Sequence, residues 1–163
     1  MLHDSAAGFT AAKELWAMKP VSELLKKPGG SNAGTLWHVR PEETVFSALK
    51  LLSDYEVGAL MVMDGGRLIG VFSERDYTRK IALAGRNSKE TRVADIMTTQ
   101  VRTVPSHTGT RECMALMREG KFRHLPVVDG DTVLGMISIR DITDDIITDH
   151  EATIAQLETY IQS

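Results

Sequence analysis

The sequence predicts an α/β (α+β) protein in which one β-α-β-β-α unit is written twice. Three observations predict this fold class: an internal repeat without gaps, two hairpin signals built on Asp-Gly, and a helical spacing of apolar residues before each hairpin. Shifting the chain by 65 positions aligns residues 39–76 with residues 104–141 and gives 10 identities in 38 positions. The chain is therefore a tandem repeat.

Each element of the first copy follows from local patterning. Residues 35–39 predict a short strand, and residues 44–57 predict a helix with Thr44 as its N-cap. Two apolar runs joined by Asp-Gly-Gly at 64–66 predict a β-hairpin, because glycine accepts positive φ. After Ser73 the sequence returns to a helical pattern.

The second copy has the same order, with Asp-Gly-Asp at 129–131 and a helical pattern after Ser138. A repeat of roughly 60 residues buries too little apolar surface for good stability alone, so we predict that the two copies pack sheet against sheet. The predicted segments are an N-terminal helical segment (1–20), the first repeat (21–84), a linker (85–92), the second repeat (93–147) and a C-terminal helix (148–163).

Composition excludes several classes of function. The chain has 163 residues, 42% of them hydrophobic and 25% charged, with a net charge of −3. This charge gives no reason to expect nucleic acid or a membrane as partner, and no apolar run is long enough to span a bilayer. We predict no signal peptide, and the single cysteine, Cys113, fits a reducing compartment, so we predict the cytoplasm. Cys113 aligns with Ala48 and is predicted to be a buried apolar residue.

Both copies end in Gly-x-x-Ser-x-Arg-Asp, at 70–76 and 135–141. The serine lies where a strand ends and a helix begins, and the first N–H groups of such a helix attract anions such as phosphate. The aspartate lies in the first helical turn, where its carboxylate can accept two hydrogen bonds from the vicinal diol of a ribose. A diol and a phosphate together indicate a nucleotide.

A structural interpretation of the motif competes with this one. Ser-x-x-Asp is a common capping box, and Gly70 and Gly135 can mark a β-bulge or the close approach of a ligand or another backbone. Arg75 and Arg140 accompany the motif although capping does not need them, which favours a nucleotide site. Duplication preserves structural features as well as functional ones, so both interpretations are carried forward.

The duplicated unit resembles the cystathionine-β-synthase (CBS) domain, and residues 20–147 resemble a tandem pair of such domains, a Bateman module. Its segments GVFSERDYTRKIALAGRNSKETRVADIM and RHLPVVDGDTVLGMISIRDI are similar to small bacterial and plant organellar members. The resemblance implies a pseudo-two-fold axis and two clefts between the repeats. Ligands of the family include AMP, ADP, ATP, NAD(H) and S-adenosylmethionine.

The resemblance also implies site residues, carried over by position. In one cleft Asp141 would hold the ribose diol and Ser138 the phosphate side, Arg123 and His124 would contact phosphate, and the adenine would be framed by Trp37, Val57 and Gly58. In the other cleft Asp76 and Ser73 would take the ribose and phosphate roles, and the base end would be formed by Arg102, Thr103 and Phe122.

The two clefts are not equivalent. Arg123 and His124 align with Gly58 and Ala59, so only the Asp141 cleft has its own cations at the phosphate position. We expect it to bind a charged nucleotide more tightly. The Asp76 cleft is expected to be weaker or to receive help with phosphate from Arg75 or Arg140.

Two of these residues, and the C-terminal segment, have alternative interpretations. Trp37 can be a partly buried strand aromatic, and His124 can have a structural role. The remaining histidines lack the spacing of a metal site, and no metal is predicted. An apolar stripe of near-heptad spacing is predicted to pack on the N-terminal segment AAKELWAM or on a partner chain, and comprises Ile147, Ile154, Leu157 and Ile161. The resemblance implies a homodimer.

The leading hypothesis is a regulatory module that binds adenosine-containing ligands, performs no chemistry and acts as an energy or redox sensor for an unidentified protein partner. The first alternative is a small enzyme acting on nucleotides, which would need a base, a nucleophile or a metal in the cleft. Only Glu74 and Asp76 are nearby carboxylates in the first motif, and Ile139 replaces Glu74 in the second. The second alternative is a scaffold that binds no ligand.

Overall fold

A computed structural model of the chain describes residues 19–25 and 37–162. In chain order the helices and strands are α1 (Ser22–Leu25), β1 (His38–Val39), α2 (Val45–Tyr55), β2 (Ala59–Asp64), β3 (Arg67–Ser73), α3 (Glu74–Tyr77), α4 (Val93–Ile96), α5 (Thr110–Gly120), β4 (His124–Asp129), β5 (Thr132–Ser138) and α6 (Ile139–Gln162). A π-helical turn, Thr78–Ala82, continues α3 directly.

The described residues divide into two compact units. Unit 1 contains residues 19–25, 106–125 and 137–162, and unit 2 contains residues 37–105 and 126–136. The hairpin of β4 and β5 contributes its tip to unit 2 and its ends to unit 1. The predicted segment boundaries are not tested by this division, because it follows compactness and not the repeat.

The sheet of unit 2 has the order β1-β2-β3, with β1 parallel and β3 antiparallel to β2. The predicted hairpin is confirmed: Gly65 and Gly66 connect its strands with φ of 56° and 83°, as a two-residue turn of primed type requires. A shift of register between Val62 and Met63 marks a β-bulge. Of the predicted strand 35–39, residues 38 and 39 form β1 and Trp37 lies outside it, while residues 35 and 36 lie outside the described part.

Strand β2 is buried on both faces. One face contributes Leu60 and Val62 to a core shared with the helices of the first copy. The other face packs against β5 through a cluster that contains Met61, Met63 and Met136. Because both faces are covered, β2 is a nearly continuous apolar run without polar alternation.

The helices that precede the two hairpins differ at the N-cap, where the second has Gly109 without a side-chain bond, but they terminate alike. The predicted N-cap of α2 is confirmed, since Thr44 Oγ1 accepts a hydrogen bond of 3.1 Å from the Ser47 amide. Helix α2 is followed by the C-cap residue Glu56 with φ of 53°, and α5 is followed by the C-cap residue Lys121, 65 positions later, with φ of 56°. A left-handed residue that is not glycine, at the same place in both copies, indicates a shared helix termination. Cys113 lies buried in α5 as predicted, and burial, followed by the nearby Glu112, raises its pKa to about 11.

A short segment precedes each copy and docks on the other copy. The Val93 amide donates to the Glu43 carbonyl at 2.8 Å, within unit 2, so the segment before the second copy binds the first. The Val21 amide donates to the Thr108 carbonyl at 2.8 Å, within unit 1, so the segment before the first copy binds the second. The repeat pattern alone had placed residue 21 with the first copy.

Helix α6 runs without interruption from the second copy into the predicted C-terminal helix. Its buried side chains, Ile142 and Asp145, lie near its start. The predicted apolar stripe is exposed: Ile147 and Ile154 are each 55% exposed and Leu157 is 58% exposed. The N-terminal segment predicted to cover it, residues 11–18, lies outside the described residues. Within the described ranges, no helix combines the length and the apolar character that a membrane crossing demands.

Candidate functional site

The first copy of the motif forms a complete capping box. Ser73 is the last residue of β3, and its Oγ accepts a hydrogen bond of 3.2 Å from the Asp76 amide. In return, Asp76 Oδ2 accepts from the Ser73 amide and from Ser73 Oγ, each at 3.0 Å. The structural interpretation of the motif is therefore confirmed for this copy.

The second carboxylate oxygen of Asp76 is also engaged. Its Oδ1 accepts from Thr98 Oγ1 at 3.1 Å and lies 3.0 Å from Lys80 Nζ. Asp76 is only 7% exposed, so these partners replace most of the water that would otherwise solvate the carboxylate. Both oxygens of this aspartate thus have partners within unit 2.

Thr98 belongs to a segment that is fastened to β3 at the mid-strand glycine. Val71 and Thr98 exchange two backbone hydrogen bonds, of 3.0 and 2.9 Å. A Cβ atom on Gly70 would lie 2.7 Å from Met97 Sδ and 3.0 Å from the Thr98 carbonyl oxygen. The close approach of another backbone, one of the interpretations offered for Gly70, is therefore confirmed. The bulge interpretation also holds, since Val62 pairs with Gly70 and Met63 pairs with Leu68.

The second copy of the motif repeats the capping box on a longer helix. The Ser138 amide donates to Asp141 Oδ2 at 2.8 Å, and the Asp141 amide donates to Ser138 Oγ at 3.1 Å. Helix α6, which begins at the next residue, has 24 residues, whereas α3 has four. Asp141 is half-buried, whereas Asp76 is buried.

The two copies differ one helical turn after the aspartate. The first copy has Lys80 at that position and the second has Asp145, so the charge is reversed. Asp145 is 5% exposed and is neutralised from another segment: Lys19 Nζ lies 2.9 Å from its Oδ1 and 3.0 Å from its Oδ2. Lysine therefore pairs with the motif aspartate in the first copy and with a different aspartate in the second.

The residues before β4 are held close to the second motif. The Ile139 amide donates to the Arg123 carbonyl at 2.8 Å, as the Glu74 amide donates to the Gly58 carbonyl at 3.1 Å in the first copy. Burial lowers the pKa of His124, the positive charge of Arg123 lowers it further, and Asp141 opposes them. His124 is therefore uncharged at neutral pH, and Arg123 supplies the positive charge that the sequence had assigned to both residues.

The structure brings some predicted site residues together within a unit. Ser73 and Asp76 meet in unit 2, and Ser138 and Asp141 meet in unit 1. Unit 2 also holds Trp37, Val57, Gly58, Arg75, Arg102 and Thr103, and unit 1 also holds Phe122, Arg123, His124 and Arg140. The assignment of ligand-binding roles to these residues remains a prediction.

Several of these side chains have an observed neighbour in their own unit, as three examples show. Trp37 is half-buried and stacks on Tyr55, with ring centroids 5.2 Å apart and an interplanar angle of 11°. The Phe122 ring lies over Gly120, where a Cβ atom would collide with it. Arg140 Nε lies 3.9 Å from Asp144 Oδ2, and both side chains are exposed. Trp37 is therefore a partly buried aromatic side chain, as its alternative interpretation predicted.

Sequence reasoning missed four residues around the motifs. Lys80 neutralises Asp76, and Lys19 neutralises Asp145. The Thr98 hydroxyl donates to Asp76. The reversed charge at the position aligned with Lys80 was a usable signal, because a lysine four residues after an aspartate can pair with it on a helix. Thr98 and Lys19 gave no such signal, since their contacts lie far along the chain.

A family model of the CBS domain matches residues 35–83 and again residues 93–148. The fold and the repeated motif thus define a tandem CBS-domain pair of α/β architecture, as predicted. The chain belongs to the CBS-domain family.

Known relatives support this assignment. The chain is 37% identical over 147 residues to the mitochondrial CBS domain-containing protein CBSX3 of Arabidopsis thaliana, covering 87% of this chain and 71% of that protein. A solved CBS-domain structure from Burkholderia ambifaria MC40-6 is 45% identical, covers 80% of this chain and 96% of its own, and has a TM-score of 0.75. The hexameric CBS-CP12 protein of bloom-forming cyanobacteria is 26% identical, with 77% and 67% covered and a TM-score of 0.67.

Family membership establishes the class of function in coarse terms. CBS-domain proteins are in general regulatory modules that bind adenosine ligands. The comparisons indicate no catalytic family. Over residues 19–25 and 37–162, no three His, Cys, Asp or Glu side chains are grouped so as to hold a metal ion.

Proposed function

We propose that the chain is a regulatory module that binds an adenosine-containing ligand, AMP, ADP, ATP or NAD(H), with the second copy of the motif as its principal site. The observation that carries the proposal is the pair Ser138 and Asp141 at the start of a long helix, whose first amide is bonded to the Arg123 backbone, in a CBS-domain chain. Each of these groups matches one part of a nucleotide.

The chemistry of the second motif suits a ribose and a phosphate. A carboxylate has acceptor sites for about four hydrogen bonds, so the hydroxyls of a ribose would add to the bond that Asp141 accepts from the Ser138 amide. The positive end of the α6 dipole and the guanidinium of Arg123 would attract the phosphate. His124, uncharged at neutral pH, would serve as a hydrogen-bond partner and not as a cation.

Regulation needs no reaction in this chain. A ligand shifts a protein between two conformations by its difference in affinity for them, and coupling of this kind is typically worth about 1–3 kcal/mol. The output would pass to a protein partner, whose identity the chain does not reveal. The cytoplasmic location predicted from the sequence stays a prediction, and the Arabidopsis thaliana relative is named as mitochondrial.

We also propose that two copies of the chain associate through the apolar stripe of α6. Ile154, Leu157 and Ile161 are 55–80% exposed along one side of this helix, and the cyanobacterial neighbour is named as a hexamer. Light scattering should give twice the mass of one chain. Leu157→Glu should reduce it to one chain, whereas Gln156→Glu, on the opposite side of α6, should not. A single-chain mass for the unmodified protein would contradict the proposal.

A thermal-shift measurement with AMP, ADP, ATP, NAD, NADH and S-adenosylmethionine tests the ligand hypothesis. A ligand at 100 times its dissociation constant stabilises the folded chain by about 2.7 kcal/mol, or roughly 5–11 °C for this chain length. Asp141→Asn should remove most of the ligand-induced shift, and Asp76→Asn should remove less. Because both changes weaken a capping box, each variant is compared with its own ligand-free melt.

Asp144→Asn is the matched control, since Asp144 is an exposed carboxylate on the same helix and lies outside the capping box. It should keep the full shift. Equal losses for Asp141→Asn and Asp76→Asn would overturn the ranking of the two motifs. A panel without any shift would favour the scaffold that binds no ligand, and chromatographic detection of turnover that Asp76→Asn blocks would favour the enzyme.

A further inference from the structure

An aromatic pair lies at the end of α2 in the first copy. The Trp37 ring stacks on the Tyr55 ring, with centroids 5.2 Å apart and an interplanar angle of 11°. Trp37 is half-buried and packs against the core of unit 2, whereas Tyr55 is 41% exposed. Because one face of the Tyr55 ring lies on Trp37, its exposed surface lies away from that residue. Tyr55 therefore presents an open aromatic surface that a second ring supports.

The backbone after Tyr55 holds this ring in place. The next residue, Glu56, is in the left-handed conformation, and its amide donates to the Ser53 carbonyl at 3.3 Å. The Val57 amide donates to the Leu52 carbonyl at 3.1 Å. A ring that is stacked, and whose backbone is fixed, loses little conformational freedom when a ligand binds to it.

The second copy has an aromatic ring at the matching turn, but a different residue supplies it. Tyr55 aligns with Gly120, and Val57 aligns with Phe122. The Phe122 ring covers Gly120 in the space that a side chain at that position would need. Each copy thus has one ring at the turn that follows its helix, although the residue that supplies the ring differs by two positions. What the copies share at this turn is the ring and not the residue.

Tyr55 lies beside the residues that were predicted to frame the adenine. Trp37 is its stacking partner, and Val57 follows two residues later. The Gly58 carbonyl accepts a hydrogen bond of 3.1 Å from the Glu74 amide at the start of α3. All of these residues belong to unit 2. Since Trp37 packs on the core and is covered by Tyr55, the exposed ring of this group is that of Tyr55.

We propose that the Tyr55 ring is the surface on which the adenine of the ligand stacks, with Trp37 as its support. Tyr55 is then a specificity-determining residue, because stacking selects for a planar base. A carboxylate and a helix start select instead for a ribose and a phosphate. The inference rests on the proposed function for its ligand. It assigns to the base a residue that the sequence analysis did not name.

Isothermal titration with AMP and with NADH tests the role of the ring. Tyr55→Leu should weaken the binding of each ligand by about tenfold, because the stacking of a base on an aromatic side chain is lost. Tyr55→Phe keeps the ring and should bind both ligands as the unmodified chain does. Phe46→Leu is the matched control, since Phe46 lies on the same helix, is 40% exposed and has Lys89 Nζ 4.9 Å from its ring centroid. It should leave both affinities unchanged.

Nuclear Overhauser effects measure the contact itself. With AMP bound, the adenine ring protons should show effects to tyrosine ring protons in the unmodified chain and none in Tyr55→Leu saturated with AMP. Tyr77→Phe, which removes another tyrosine of unit 2, should keep these effects. Melting curves without ligand verify that each variant is folded.

Three results would overturn the inference while the proposed function stands. They are equal affinities for Tyr55→Leu and the unmodified chain, the same loss of affinity for Phe46→Leu, and AMP binding without an effect between adenine and tyrosine protons. Binding of neither AMP nor NADH to the unmodified chain would overturn the proposed function, and the inference with it.

Discussion

The first and second copies of the Ser-x-Arg-Asp motif share a capping box and differ in the partners of their acidic groups. In the first copy, a lysine on the same helical segment lies 3.0 Å from Asp76, and that lysine is 43% exposed. In the second copy, Asp145 pairs with Lys19, whose side chain is 19% exposed, from a segment 126 positions away. One ion pair is local and partly solvated, and the other is distant in sequence and largely buried.

This difference shows how a duplicated unit can divide two tasks between its copies. Capping is kept in both because each helix needs it to begin. The position one turn later is not needed for capping, so it can change sign. In the first copy it pairs with the motif aspartate, and in the second it pairs with Lys19 from a distant segment.

The largest expected effect is on the buried pair of the second copy. Lys19→Met leaves Asp145 buried without its cation and should lower the free energy of unfolding by about 3 kcal/mol. Lys80→Met should cost less than about 1 kcal/mol, because Lys80 is partly exposed and Asp76 keeps its other donors. Urea unfolding monitored by circular dichroism measures both.

The double change Lys19→Met/Asp145→Leu provides the control for this comparison. Replacing both charges by apolar side chains removes the buried carboxylate that Lys19 neutralised, so most of the lost stability should return. Equal costs for the two lysines would remove the distinction between a local and a distant pair.

A smaller effect on the free energy of unfolding is expected from His124, which aligns with Ala59 of the first copy. His124 has a folded pKa below its ordinary value, chiefly because it is buried, while the unfolded chain titrates near about 6.5. As pH falls below about 6.5, His124 is protonated in the unfolded chain but not in the folded chain. The free energy of unfolding therefore falls until the pH reaches the pKa of His124 in the folded chain. At and above neutral pH this loss is absent.

His124→Gln should therefore flatten the decline in unfolding free energy between pH 7 and about pH 5, measured by urea unfolding at each pH. His107→Gln, which changes an exposed histidine of the same unit, should leave the decline in place. The first copy has Ala59 at the matching position and contributes no such pH dependence. An identical pH profile for His124→Gln and the unmodified chain would contradict the assignment.

Much of the fold was predictable because its signals are local. The Asp-Gly turns, the N-cap at Thr44 and the serines at the two strand ends each act within a few residues of themselves. The apolar run of β2 predicted a buried strand, although it did not reveal that β5 covers its second face.

The partners of the site residues were less predictable because they depend on distant segments. The sequence identified Gly70 and Asp76 as special, but their neighbour Thr98 lies more than 20 positions away and carries no pattern. The lowered pKa of His124 depends on burial in the folded chain. The docking of residues 19–21 on the second copy was also not predictable from the sequence. An internal repeat shows which segments are alike, but it does not show which segments contact each other.

Because each short segment docks on the other copy, the two segments can dock only at different times during synthesis. Residues 91–93 find their partners at 43–45 already made when they leave the ribosome. Residues 19–21 must wait for 108–110, which at about 5–20 residues per second takes several seconds. During that interval Val21 and Leu24, both buried in the finished unit, lack the backbone partners of their segment. A neighbouring chain made on the same message can offer its completed 108–110 first, so this segment is where two molecules can exchange parts.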